Sequence, residues 1–147
     1  MLVTALLAVG FACFQLAALY YRQLRFPIAA LALYGTSAAL FWWAVLVTGG
    51  KLAACGQGCV SPEVITSGPY RWIRHPFYAS YNLTWMAGFA ATGWWPPAIP
   101  VIVMAALYER FAREEELGFS TGALAGQHEA YTRRTGKYFP GIGVRSG

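Results

Sequence analysis

The chain has 147 residues, 57% of them hydrophobic and only 12% charged, with a mean hydropathy of +0.43. A soluble domain carries about 25% charged residues, so the composition excludes an ordinary water-exposed globule and implies an integral membrane protein. The formal charge of +5 does not point to nucleic acid, because the basic residues flank apolar segments, where they set topology and meet anionic headgroups.

In chain order, Leu2 to Tyr21 is a first apolar span without a charge, Gln15 being its one strongly polar side chain. It lacks a basic leader and is followed by Arg22 and Arg25, so it reads as a retained anchor and not as a cleavable signal. Pro27 suits the start of the next helix, and Ile28 to Thr48 is the second span, ending in the interfacial rings of Phe41, Trp42 and Trp43. Gly49 to Thr66 is a glycine-punctuated loop. Its Gly56-Gln57-Gly58 triplet is no dinucleotide fingerprint, since no strand precedes it. Cys13 reads as a small core residue of the first apolar run, and Cys55 and Cys59 are too few, with no histidine nearby, to make a metal site.

Phe77 to Trp95 is the third span, closed by an interfacial turn at Trp94-Trp95-Pro96-Pro97. The fourth begins at Ala98, runs through Leu107 and Tyr108, and leaves the bilayer at Arg110, Arg113 and Glu114-Glu115-Glu116. The polar tail holds a short helix around Gln127 to Arg134 and a stop at Pro140-Gly141. The expected fold is therefore an all-α integral membrane protein of about four spans, one domain over residues 1–147. Residues 1–48 form two N-terminal spans and residues 61–140 a catalytic half.

If Arg22 and Arg25 lie on one side, the other nine basic residues lie on the opposite side, and the positive-inside rule makes that side cytoplasmic. Both termini are then cytoplasmic, and the expected location is a bacterial inner membrane. The hairpin of the third and fourth spans brings its two ends together on that face. Those ends are the cluster SGPYRWIRHPFYASY (Ser67 to Tyr81) and the glutamate run.

That cluster carries the chemistry. Tyr70, Arg71, Arg74, His75 and Tyr78 crowd ahead of an apolar helix that can begin at Pro76. A basic stop signal accounts for the two arginines. It does not account for the histidine, the prolines and the paired tyrosines, and ionisable groups at a membrane boundary are costly unless used. At 100° per residue the three glutamates cannot all face inward, but one or two can meet the arginine–histidine group. Tyr131 suits a lid or cofactor wall. Arg133 and Arg134 fit either a site or a surface helix on anionic lipid.

GPYRWIRHPFY, a hairpin, a Glu-Glu pair and a Tyr…Arg-Arg-Thr-Gly…Pro tail resemble the isoprenylcysteine carboxyl methyltransferase family and the related phospholipid N-methyltransferases. The resemblance covers Ser61 to Pro140, about half the chain. It implies S-adenosyl-L-methionine held at the cytoplasmic membrane face, in a pocket between the loop before the third helix and the C-terminal tail. The cofactor set it implies is His75, Pro76 and Tyr78 with Glu115 and Glu116, which Tyr70 and Tyr131 join. The chain departs from the family where GFSTGALAGQH replaces the usual Phe-Gly and first tyrosine of the tail, so that His128 stands where a tyrosine is common.

The implied activity is methyl transfer to a lipophilic small molecule or lipid entering from the bilayer, with no metal and no nucleic acid. A carboxylate acceptor needs a cation, for which Arg74, Arg110 and Arg113 are candidates; an amine needs a base, a glutamate such as Glu115 or His128. Arg74, Arg113 and Glu115 are taken as the catalytic set. Two other readings are an NADPH-dependent membrane reductase of the sterol-reductase type and a non-enzymatic lipid-binding subunit.

Overall fold

The computed structural model describes Leu16, Tyr20 and residues 24–49, 64–122 and 124–141. The expected first span, apart from Leu16 and Tyr20, and most of the glycine-rich loop with Cys55 and Cys59, lie outside the described residues. Among those described the chain is all-α, with no strand. The helices are α1 (Pro27–Thr48), α2 (Pro76–Thr92), α3 (Ala98–Ser120) and α4 (Ala125–Thr132), with a short 3-10 turn at Gly68–Arg71.

Local chemistry sets the ends of these helices. Pro27 and Pro76 open α1 and α2, where the missing N–H costs nothing and the ring pre-sets φ. Gly68 enters the 3-10 turn at φ 57°, and a Cβ there would collide with Val47, so only glycine lets the loop pass this close to the end of α1. α2 ends three residues before the expected Trp95, and α4 starts and stops two residues before the expected Gln127–Arg134.

α1 buries Ala30, Ser37, Ala44 and Thr48, a stripe at seven- and four-residue steps that gives one narrow inward seam. That seam meets α2, where Ser37 Oγ donates to the Ser80 carbonyl at 2.6 Å and sits 2.7 Å from Thr84 Oγ1. Ring contacts of Phe41 with Phe77 and Tyr81 continue the same interface. α2 and α3 form the expected hairpin. Its core is Tyr78, Trp85, Met104, Tyr108 and Ala112, with Tyr138 of the tail packed against it.

One described helix, α1, is long and apolar enough to cross a membrane. Ile28, Leu31, Trp42 and Leu46 on it are exposed. At 17 residues α2 is shorter than the roughly 20 a span needs. The 23 residues of α3 include a charged second half.

Candidate active site

The site is assembled by three pieces distant in sequence: the loop before α2, the second half of α3 and the tail after α4. The hairpin returns α3 so that Glu115 and Glu116 reach the loop. The tail then closes over both. Gly136 makes a parallel bridge with Ile73, and the amides of Arg74 and His75 donate to the carbonyls of Gly136 and Lys137 at 2.8 and 3.1 Å. The Gly136 amide donates back to the Trp72 carbonyl at 3.0 Å.

Within this frame the guanidinium of Arg74 is a tie between elements. Its Nε donates to Glu116 Oε1 at 2.9 Å, and its Nη1 donates to the carbonyls of Thr132 and Thr135. His75 lies beside it, its Nε2 3.1 Å from Glu116 Oε1 and its Nδ1 3.5 Å from Glu115 Oε2. The ring stacks on Tyr78 at 5.6 Å, and the Tyr78 hydroxyl donates to Glu115 Oε1 at 2.7 Å. Pro76, the next residue in the chain after His75, is fully buried.

Helical phase sorts the glutamate run. Glu115 and Glu116 face the loop with side chains 23% exposed, whereas Glu114 is 58% exposed and pairs with Arg110 four residues back. The same phase carries Arg113 away: its side chain is 74% exposed and donates to Glu109. Arg74, His75, Pro76, Tyr78, Glu115 and Glu116 are therefore brought together. Tyr70 and Tyr131 stand at one edge, where the Tyr131 hydroxyl donates to the Tyr70 carbonyl at 2.7 Å. Arg113 does not join them. Arg133 is an exposed partner of Glu129, and His128 is buried against Phe119, its ring stacked at 5.3 Å.

Two members of this cluster, Glu109 and Lys137, were not singled out from the sequence, and Tyr138 of the tail joins them. Lys137 Nζ bridges Glu109 Oε1 at 2.9 Å and Glu116 Oε2 at 3.4 Å, and the Tyr138 hydroxyl donates to Glu109 Oε2 at 2.9 Å. Glu109 had a signal, since it precedes Glu116 by seven residues and so shares its helix face. Lys137 had none, because a tail of irregular backbone has no period.

These contacts set the charge states. Burial by itself would raise the carboxyl of Glu116, but hydrogen bonds from His75 and Arg74 outweigh it and hold the pKa down at about 2. Glu109 is likewise held at about 2, against burial, by Arg113, Lys137 and Tyr138. For His75, burial pulls the imidazole down, yet the bonds to Glu115 and Glu116 prevail and leave it above its ordinary value. Burial lowers His128 and pushes Tyr131 up to about 12. Among the described residues no group of His, Cys, Asp and Glu is suited to a metal ion.

The chemistry of this donor set suits a cation. It offers a carboxylate, Glu115, with no arginine or lysine bound to it among the described residues, next to aromatic faces. Comparison with protein families, with curated proteins and with solved structures found no match.

Proposed function

We propose that this chain is an S-adenosyl-L-methionine-dependent methyltransferase of the membrane. It acts on a lipophilic acceptor that reaches the site from the bilayer at the cytoplasmic face. The observation that carries the reading is the delivery of Glu115 and Glu116 by the α3 hairpin onto the ring of His75, under a tail strap, at the mouth of an apolar helix pair. The first apolar run, α1, α2 and the first half of α3 serve as four spans. Exposed apolar side chains on α1 and α3, among them Leu31, Leu46, Ile99 and Ile102, favour a lipid environment.

When bound, the cofactor would supply an electrophilic methyl on a sulfonium, the form in which a methyl group can be passed to the acceptor. The residues of the chain hold and exclude. Glu115 with Tyr78 presents a carboxylate and a ring face to positive charge. Arg74 and Lys137 keep Glu116 ionised, Tyr131 and Tyr138 wall the site, and the strap shields it from water. Desolvation at the bilayer edge favours a step in which an anionic acceptor and a cationic donor lose charge. Because Arg74 is engaged with Glu116 and two carbonyls, its part is to position Glu116. Glu115 is the group that meets ligand or acceptor, and Arg113 belongs to the rim.

Calorimetric titration of the purified protein with S-adenosylhomocysteine and with NADPH tests this. Micromolar binding of the first alone is the expected result. Binding of NADPH alone favours the reductase reading, and binding of neither leaves the non-enzymatic subunit. His75→Ala and Glu115→Ala are each expected to weaken S-adenosylhomocysteine binding about tenfold or more, roughly the worth of one charge-assisted contact, with helical ellipticity retained. Wild-type affinity in both would misplace the site.

A further inference from the structure

Glu115 and Glu116 are neutralised differently. Among the described residues Glu116 has three cationic neighbours, Arg74 Nε at 2.9 Å, His75 Nε2 at 3.1 Å and Lys137 Nζ at 3.4 Å. Glu115 has the Tyr78 hydroxyl on Oε1, and the one cation within ion-pair distance of it among the described residues is His75, whose Nδ1 lies 3.5 Å from Oε2. Carboxylates thus face both nitrogens of one ring. Imidazole can donate from both nitrogens only as the imidazolium.

The other groups around the ring do not change this. Arg74 on its own loop and Lys137 on the strap are bound to Glu116, and Lys137 also to Glu109. Tyr78 of α2 and Tyr138 of the strap offer ring faces, and Tyr138 directs its hydroxyl to Glu109. His128 of α4, electrostatically coupled to His75, is lowered by its own burial. Without a proton on His75, Glu115 has no counter-charge among the described residues.

We propose that the His75 imidazolium fills a cation site built by Glu115 and Glu116, and that a ligand carrying a fixed positive charge takes over that site and expels the Nδ1 proton to solvent. The Nε2 proton stays, because the Nε2–Glu116 contact is the shorter of the two and Glu116 remains paired with Arg74 and Lys137. A sulfonium has no proton to lose, so the exchange balances as one fixed charge in and one proton out. The upward displacement of the His75 pKa agrees with this. The inference rests on the methyl-donor reading for the identity of the ligand, and not for the charge of His75.

The test is proton counting by calorimetry, in buffers of differing ionisation enthalpy, with S-adenosylmethionine and S-adenosylhomocysteine as the two ligands. They differ by one methyl and its positive charge. Below the His75 midpoint, binding of the sulfonium should release about one proton more than binding of the thioether, following the linkage between charge and protonation. The difference should fade above that midpoint and vanish in His75→Gln. Equal release by both ligands, or release unchanged in His75→Gln, would overturn the proposal.

A second measurement uses the wild-type protein alone, so that it survives misfolding of the variant. The ring of His75 is titrated by NMR with and without trimethylsulfonium, His128, the other of the two histidines, serving as reference. Trimethylsulfonium should lower the His75 midpoint; an unmoved midpoint would sink the idea. If neither nucleoside ligand binds while trimethylsulfonium still shifts the ring, the cofactor reading fails and the cation site stands.

Discussion

Two polar clusters flank the start of α2, and they are built on opposite terms. Towards the loop, Arg74, His75, Lys137, Glu109, Glu115 and Glu116 form a charged network spanning three segments. One turn into the helix pair, Ser37, Ser80 and Thr84 form a neutral knot that uses only hydroxyls and a backbone carbonyl. The neutral knot closes on itself and is complete within two helices. The charged one is complete only when the strap is in place and, on our reading, only while a proton sits on His75. The first joins helices; the second is poised for exchange.

Breaking the strap should have the largest effect. A Cβ on Gly136 would collide with the Phe139 carbonyl and approach the Gly141 amide at 2.7 Å, so Gly136→Ala must move backbone. The expected loss is about 2–3 kcal/mol of unfolding stability, within the range for overpacking a tight site. Limited proteolysis should show cleavage after the released Lys137, while Ser37→Ala leaves that site protected.

Removing one charge comes next. Glu116→Gln strips Arg74, His75 and Lys137 of their shared partner, and about 1–2 kcal/mol is expected, discounted from a fully buried pair because the side chain keeps 23% exposure. Denaturant unfolding in detergent measures it; a loss no larger than that of Glu114→Gln, the exposed Arg110 partner, would show that the network contributes nothing.

The pH dependence separates the clusters, because only the charged one titrates, and it does so with two signs. The folded pKa of Glu116 is depressed to about 2 from 4.5, so its stabilisation is full above 4.5 and lost as pH falls towards about 2. His75 is raised above 6.5, so its share is full below 6.5 and lost as pH rises through the raised value. Thermal unfolding across this range should show both losses, and the His75→Gln variant only the acid one. The hydroxyl knot predicts no titration. The smallest effect belongs to it: on the membrane reading, Ser37→Ala should cost about 0.6 kcal/mol, the average for a hydrogen bond between helices in lipid.

Much of the frame was legible in the residues. Pro27 and Pro76 announced helix starts, and the apolar runs gave the α2–α3 hairpin, whose return had to place the glutamates opposite His75. The end of α2 was less legible, because Gly93, with φ 58°, caps the helix before the tryptophans that looked like its last turn.

The sequence by itself determined helix content, the hairpin and the residue types of the site, because period and proline are local properties. Only the tertiary structure decided which glutamate has a spare face, that Arg74 is a tie and Arg113 a rim residue, and that Lys137 and Tyr138 complete the cluster. The physical reason is the irregular strap. Its position comes from amides and carbonyls pairing across some sixty residues of chain, such as Arg74 with Gly136, and backbone groups are the same in every residue.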